Sequence, residues 1–402
     1  MQAVMVIPSK SEALLARKIA GVPLLARVLA TAVRAGVKEL ILFWPGYPDA
    51  AIWDQCMAAP ALHGLQTRTI RGLPFEPRDS GNWAAIGSLL NDEFLWLPWN
   101  FVTAARFLKA VKTSADLPLS WEKPVRLVKD LIDGSPRTGI GTDPGVAGIS
   151  VHSSNDIARA ERFLVANSGK ATDGIYSTFN RKLSRPFVRV LTHTRATANM
   201  VTVAGLLVGI LSALMYARGS YRAYVAGAVL FFISGLIDEM DGMLARLKFL
   251  ESAFGTWFEG FVDNVTYLLL FAGMTAGLYR QRGKAELIWG IALILGCVLS
   301  VIVVAVQRKA VTDPNRPNEY ATRMNRWMES DSSLISRVAR QIHIFIKKGV
   351  AVHYVLLFTV LGGLTLFLRI AAISANLTWI VVSHFTWRFT RTHSTTAMAS
   401  SV

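Results

Sequence analysis

Apolar and polar positions follow two rhythms along this chain. Up to about residue 170 the apolar residues come in short bursts. "AVMVI" (3–7), "KELILFW" (38–44) and "EFLWLPW" (93–99) read as strands. "VPLLARVLATAVRAGV" (22–37) has helical spacing, with Leu25, Val28, Leu29 and Val33 on one face. "FVTAARFLKAV" (101–111) is a second helix, and "SSNDIARAERFLVAN" (153–167) a third behind an Asn/Asp start. Strands alternating with helices predict a soluble α/β domain with a mostly parallel sheet.

After Gly169 the rhythm changes. "NRKLSRPFVRVLTHTR" (180–195) has five Lys/Arg and no acid, interleaved with Leu183, Phe187, Val190 and Leu191. Such a helix lies in the lipid headgroup region. Long apolar runs follow at 199–217, 222–237, 257–279, 286–306, 350–368 and 371–388. A bilayer crossing needs ~20 apolar residues. The expected organisation is a soluble α/β domain (1–168), a juxtamembrane amphipathic helix (169–196), an all-α six-helix transmembrane domain (197–392) and a flexible tail (393–402).

Composition agrees with this division. The chain has 402 residues, a formal charge of +16 and 52% hydrophobic residues. So basic a balance suits nucleic acid or an anionic membrane surface, and the apolar runs decide for membrane lipids over nucleic acid. The connection 307–348 carries a net +5 and would share a side with the basic helix and "RFTRTH" (388–393). Positive residues favour the cytoplasm, so the soluble half is expected there, in a multi-pass protein of a prokaryotic inner membrane. "MQAVMVIPSKSEALL" has neither the basic start nor the long apolar core of a secretory leader. Cys56 and Cys297, far apart, predict neither a disulfide framework nor a metal site.

The chemistry concentrates in "DEMDGMLARLKFLESAFGTWFEGFVD" (238–263), between two apolar runs. Asp238 and Asp241 are i, i+3 on one helix face; Glu259 and Asp263 are i, i+4 on the next. Antiparallel helices would gather four carboxylates, which cannot all ionise side by side without cations. Hard oxygen ligands suit two Mg²⁺ or Mn²⁺ ions. Gly242 and Gly255 permit close approach of a pyrophosphate, and Arg246 is placed to hold a phosphate. Acids at a membrane boundary are functional by default.

Asp238-x2-Asp241-Gly242-x2-Ala245-Arg246-x8-Gly255-x3-Glu259-x3-Asp263 resembles the signature of the CDP-alcohol phosphotransferases. Every spacing is kept, but that family has aspartate where Glu259 stands. "TANMVT" (197–202) is similar to the Thr-Pro-Asn-x-Val-Thr that opens the family's first membrane helix, with Ala198 for proline. The resemblance implies six transmembrane helices, a homodimer, and transfer of a phospho-alcohol from a CDP-alcohol donor to an alcohol acceptor with release of CMP. It further implies that Asp238, Asp241, Glu259 and Asp263 bind metal, with Asp263 also the base for the acceptor hydroxyl. Asn199, Thr202, Asp238, Gly242, Ala245, Arg246, Ser252 and Gly255 would surround the CDP-alcohol. Lys182, Arg185 and Arg189 are candidates for an acceptor phosphate, although lipid headgroups compete for them.

The first half resembles sugar-nucleotide cytidylyltransferases of the nucleotidyltransferase (GT-A-like) type through "GVPLLARVLATAVRAGVKELILF" (21–43). Two catalytic features are missing. The phosphate-cradling segment "PSKSEALLAR" (8–17) has no glycine, and Trp99-Asn100 stands where a metal-binding aspartate is expected. The domain therefore reads as a scaffold without its activity, Lys10, Arg17 and Lys18 being at most a basic face. The order of the halves is similar to that of the bifunctional inositol-1-phosphate cytidylyltransferase/di-myo-inositol-phosphate-phosphate synthases. Two other readings compete: a catalytically impaired nucleotide- or lipid-binding protein, and a transporter with an acidic cation site. A transporter gives no reason for the Gly and Ala-Arg spacing.

Overall fold

The structure, a computed structural model, describes residues 1–8, 11–44, 50–71, 87–89, 94–111, 147–169, 174–311 and 348–399. Lys10 and most of the basic connection 307–348 lie outside them. The chain divides into two compact units that interleave along the sequence. The first is Met1–Thr172, Ser184–Ala198 and Gly242–Glu251; the second is Asp173–Leu183, Asn199–Asp241 and Ser252–Val402.

In the first unit, β1 (Gln2–Val6) is followed by α1 (Glu12–Leu15) and the small antiparallel pair β2 (Lys18–Ile19) and β3 (Val22–Pro23). Then come α2 (Leu24–Ala35), β4 (Glu39–Trp44), α3 (Ala50–Met57), β5 (Gln66–Arg71) and β6 (Phe94–Trp96). The main sheet is parallel throughout, in the order β5-β4-β1-β6. Val4 sits opposite Ile41 on one side and Trp96 on the other. β1 and β4 are almost wholly buried, which is why they read as continuous apolar runs and not as alternation. Val4, Ile41, Phe43, Phe94 and Trp96 form one core cluster.

The helix expected over 101–111 begins late. Phe101–Thr103 is a strand, β7, which pairs antiparallel with β8 (Gly148–Ser150); the helix, α4, is Ala105–Val111. Aromatic and β-branched residues at its start favour the extended form once a partner strand is present. α5 (Ser154–Ala166) opens with a capping box of Ser153 and Asp156. The carboxylate of Asp156 accepts backbone N–H groups and the Ser153 hydroxyl, and this holds its pKa below the ordinary carboxylate value.

Six further helices are α6 (Ile175–Thr192), α7 (Ala198–Ala217), α8 (Tyr221–Lys248), α9 (Ala253–Arg282), α10 (Lys284–Val311) and α11 (Lys348–Val360), with α12 (Leu364–Ala399) after them. Among the described residues, five are long and apolar enough to span a bilayer: α7, α8, α9, and the stretches Lys284–Gln307 and Leu364–Trp387. The expected fifth and sixth spans divide elsewhere than their hydropathy indicates. The break falls at Leu361–Gly363, where Gly362 takes φ +72°, and it leaves α11 a 13-residue helix. α12 runs to Ala399, past the expected tail boundary, for "RTHSTTAMA" contains no Gly or Pro to stop it.

Glycine sets the closeness of α7 and α9. A Cβ on Gly273 would lie 2.3 Å from the Ala213 carbonyl oxygen, and one on Gly277 would lie 2.1 Å from that of Tyr216. Small residues at helix contacts are how membrane helices gain van der Waals packing where lipid offers no hydrophobic drive. The core of the second unit gathers Tyr216, Phe231, Leu270, Met274, Val355 and Leu368. Ile175, Phe179, Leu183, Phe187 and Val190 form an exposed apolar stripe on α6, while Asn180, Arg181, Ser184 and Val188 are buried. An outward apolar face is what a helix at a lipid surface requires.

Candidate active site

Asp238 and Asp241 stand on α8, and Glu259 stands on α9. One carboxylate oxygen of each lies within 4.8 Å of the others. Asp241 is buried at 2% exposure, and its Oδ2 accepts a 2.6 Å hydrogen bond from Thr202 Oγ1 of α7. Three elements thus meet at one carboxylate. Three of the four expected carboxylates are thus gathered. Asp263, the fourth, is one turn beyond Glu259, ~6 Å along α9 at 1.5 Å per residue. Asp263 and Asp238 both act electrostatically on the buried hydroxyl of Tyr267.

The carboxylate of Glu259, the residue that departs from the family signature, belongs to the group. Three carboxylates of one sign, one of them fully buried, make a donor set that fits a divalent cation of hard character.

The remaining expected residues fall into two places. Asn199, Ser252 and Gly255 belong to the second unit. Ser252 caps α9, its Oγ accepting the Gly255 N–H at 2.9 Å. A Cβ on Gly255 would lie 3.1 Å from Ser252 Oγ and 3.5 Å from Asn199 Oδ1, so glycine keeps that corner open. Gly242, Ala245 and Arg246 form the end of α8 and belong to the first unit. Arg246 Nε donates to the Ser168 carbonyl, and its guanidinium lies 3.3 Å from where a Gly242 Cβ would be. Lys182 is exposed. Arg185 donates to the Ala166 carbonyl at 3.1 Å, and Arg189 faces Glu161 at 3.7 Å, so both have protein partners.

Sequence reasoning missed Glu239, between the two site aspartates. It forms a buried ion pair with Arg181 of α6 at 2.7 Å, both side chains close to one-tenth exposed. Neighbouring helix residues face different ways, so Asp238 and Asp241 can share a face that Glu239 does not. One arginine among the five Lys/Arg of 180–195 offered no sequence signal for that pairing. In the first unit, Asn100 is buried and donates to the Val151 carbonyl at 3.2 Å, a structural use of the position where a metal-binding aspartate was expected.

The sequence model of the CDP-alcohol phosphatidyltransferase family matches residues 195–387. The second half of the chain is therefore similar to a CDP-alcohol phosphatidyltransferase domain. The matched residues contain the whole carboxylate group. With five candidate spans, it is the domain of a multi-pass integral membrane protein. Curated relatives point the same way. The "Bifunctional IPC transferase and DIPP synthase" of Aquifex aeolicus is 23% identical over 244 residues, 60% of this chain and 50% of that protein. Its namesake from Thermococcus kodakarensis is 30% identical over 164 residues, 40% of this chain and 35% of that protein. The "Archaetidylinositol phosphate synthase" of Methanothermobacter thermautotrophicus is 36% identical over 80 residues, 20% of this chain and 40% of that protein. The chain therefore spans half or less of the length of each.

Proposed function

We propose that this protein is a membrane-embedded CDP-alcohol phosphotransferase, moving a phospho-alcohol from a CDP-alcohol to an acceptor hydroxyl and releasing CMP. The observation that carries the reading is the convergence of Asp238, Asp241 and Glu259 within a domain of that family. Those three residues, with Asp263, would hold two divalent cations, Mg²⁺ or Mn²⁺, which when bound would supply charge neutralisation of the diphosphate and of the leaving CMP. Thr202 orients Asp241 through its hydrogen bond. Asn199, Ser252 and Gly255 line the CDP moiety, together with Gly242, Ala245 and Arg246.

Asp263 accepts the proton of the acceptor hydroxyl. The acceptor oxygen forms its bond to the phosphorus bearing the donor alcohol as the bond from that phosphorus to CMP breaks. A positioned base of this kind contributes roughly 10²–10⁴-fold. The names of the relatives favour an inositol-phosphate-type alcohol on one side of the reaction. Lys182, Arg185 and Arg189 are the candidates for holding an acceptor phosphate. The site opens to the cytoplasm of a prokaryotic inner membrane, the side the positive residues favour. The protein acts as a homodimer, and the first unit is a nucleotidyltransferase-like (GT-A-like) scaffold without nucleotidyl transfer.

The test is CMP release by the purified protein from a panel of CDP-alcohols, with inositol phosphates and lipid alcohols as acceptors. Release should require Mg²⁺ or Mn²⁺, stop with chelator and fall at least 100-fold in Asp263→Asn. Absence of CMP release with every donor would sink the reading.

A further inference from the structure

α8 and α9 carry the three gathered carboxylates and are joined only by Phe249–Ser252. The joint begins with an anomaly. Phe249 has φ +58°, the left-handed conformation, and the Leu250 N–H donates to the Ala245 carbonyl at 2.9 Å. This is the helix stop in which the left-handed residue is normally glycine. A bulky aromatic there is an outlier and persists only where its surroundings over-determine it.

The surroundings do so, and they come from the α/β fold. The Arg34 guanidinium lies 4.4 Å from the Phe249 ring centroid, and that of Arg27 lies 5.2 Å away. Arg34 also pairs with Glu251 and donates to the Arg246 carbonyl at 3.3 Å. Arg27, 2% exposed, donates to the carbonyls of Ile19, Ala20 and Leu247, the last at 2.7 Å. Burial draws its pKa down to about 9, which still leaves it charged at neutral pH. From the other side, Lys248 Nζ donates to the carbonyls of Thr194 and Ala196 at 2.8 and 2.9 Å. Carbonyls at a helix C-terminus have no partner within the helix, and cations there are favoured by the helix dipole.

We infer that the α/β unit, having lost the residues of nucleotidyl transfer, serves as a clamp: Arg27 and Arg34 hold Phe249 and thereby fix the joint between the two carboxylate-bearing helices. Arg27 and Arg34 are positioning residues; neither touches the carboxylates. A loop stop made by glycine would reach the same backbone conformation without the α/β unit. Phenylalanine makes the stop dependent on it. The inference rests on the phosphotransferase reading for what the helices do, but not for the existence of the clamp.

The test uses the full chain in detergent micelles with two readouts: hydrogen–deuterium exchange over 246–256, and Mn²⁺ binding by electron paramagnetic resonance. Phe249→Gly frees the backbone and removes the ring; Phe249→Tyr keeps the ring. Arg34→Ala removes a partly exposed cation, so it is no core deletion. Phe249→Gly and Arg34→Ala should each speed exchange at least tenfold and weaken Mn²⁺ binding at least fivefold. β1 and β4 should stay protected, and Phe249→Tyr should match wild type. Exchange in Phe249→Gly equal to wild type would overturn the clamp, since glycine alone would then suffice. Faster exchange with unchanged Mn²⁺ affinity would overturn the positioning role. If wild type bound no Mn²⁺, the phosphotransferase reading would fall, and the exchange contrast alone would decide the clamp.

Discussion

Two buried carboxylates, Glu161 and Asp241, are 4% and 2% exposed, yet they keep opposite company. Glu161, in the first unit, accepts the Ala20 N–H at 3.0 Å and faces Arg189 and His193 at 3.7 and 3.3 Å. Its negative charge is met by a backbone donor, the Arg189 cation and the His193 ring. Asp241, in the second unit, accepts the Thr202 hydroxyl and has two further carboxylates for neighbours. Burying a charge costs several kcal/mol unless it is compensated. For Glu161 the fold supplies the compensation. At Asp241 like charges are concentrated, the arrangement that suits a cation. Burial alone therefore does not mark function; the sign of the neighbours does. Glu239 makes the same point one residue away from Asp238, for its pairing with Arg181 puts it on the structural side.

This contrast can be broken by substitution, and the largest effect should come from Asp241→Asn. CMP release should fall by roughly 10² or more, the several kcal/mol that a metal ion supplies being lost with its ligand, while the melting temperature in detergent stays level or rises, since repulsion among like charges is relieved. A drop in melting temperature to match would put Asp241 in the same structural class as Glu161.

Glu161→Gln should do the reverse. It leaves Arg189 and His193 facing a neutral group and costs up to about 3 kcal/mol, the low end for breaking a buried pair and discounted because Arg189 is partly exposed. Chemical denaturation should show that loss, with turnover per folded molecule retained.

A smaller effect, about tenfold in CMP release, is expected of Glu259→Asp. The shorter side chain draws the carboxylate back from the group, and Mg²⁺ tolerates poor geometry badly. Increased activity would show that the longer side chain holds the site off its optimum. Mutant rates at several Mg²⁺ concentrations would separate weaker metal binding from slower chemistry.

Smallest of all should be Asp156→Asn, at the exposed start of α5. Its folded pKa is depressed, first by the His152 N–H and then by the Ser153 hydroxyl. Its contribution is thus present above the unfolded value of about 3.9 and disappears as pH falls through the depressed folded value. Melting temperatures of wild type and Asp156→Asn should differ at pH 7 and converge in acid. A gap that persists in acid once the carboxylate is protonated in the folded state too would mean the cap does not depend on the charge.

Much of this was legible in the chain. The parallel sheet followed from apolar bursts separated by a helix with a one-sided stripe, because strands covered on both faces admit little else. The carboxylate site was visible because i, i+3 and i, i+4 spacing places side chains on one helix face whatever the partner. Less legible were the features that need a neighbour. Phe101–Thr103 became a strand because Gly148–Ser150, far along the chain, offered it an edge. The break at Leu361–Gly363 was hidden because hydropathy does not register a left-handed glycine inside an apolar run.

The sequence by itself determined which residues are able to carry the chemistry, and roughly where membrane begins, because hydrophobicity and helical periodicity are local properties of the chain. Only the tertiary structure decided which charges are compensated. Asp238, Glu239 and Asp241 are three acids within one turn of helix, and nothing in their order says that the middle one meets Arg181 while the outer two meet Glu259. Nor does the order say that Phe249 is held between two arginines more than two hundred residues earlier in the chain. Electrostatic energy depends on distance in space, and spacing along the chain constrains that distance only within a helix turn or two.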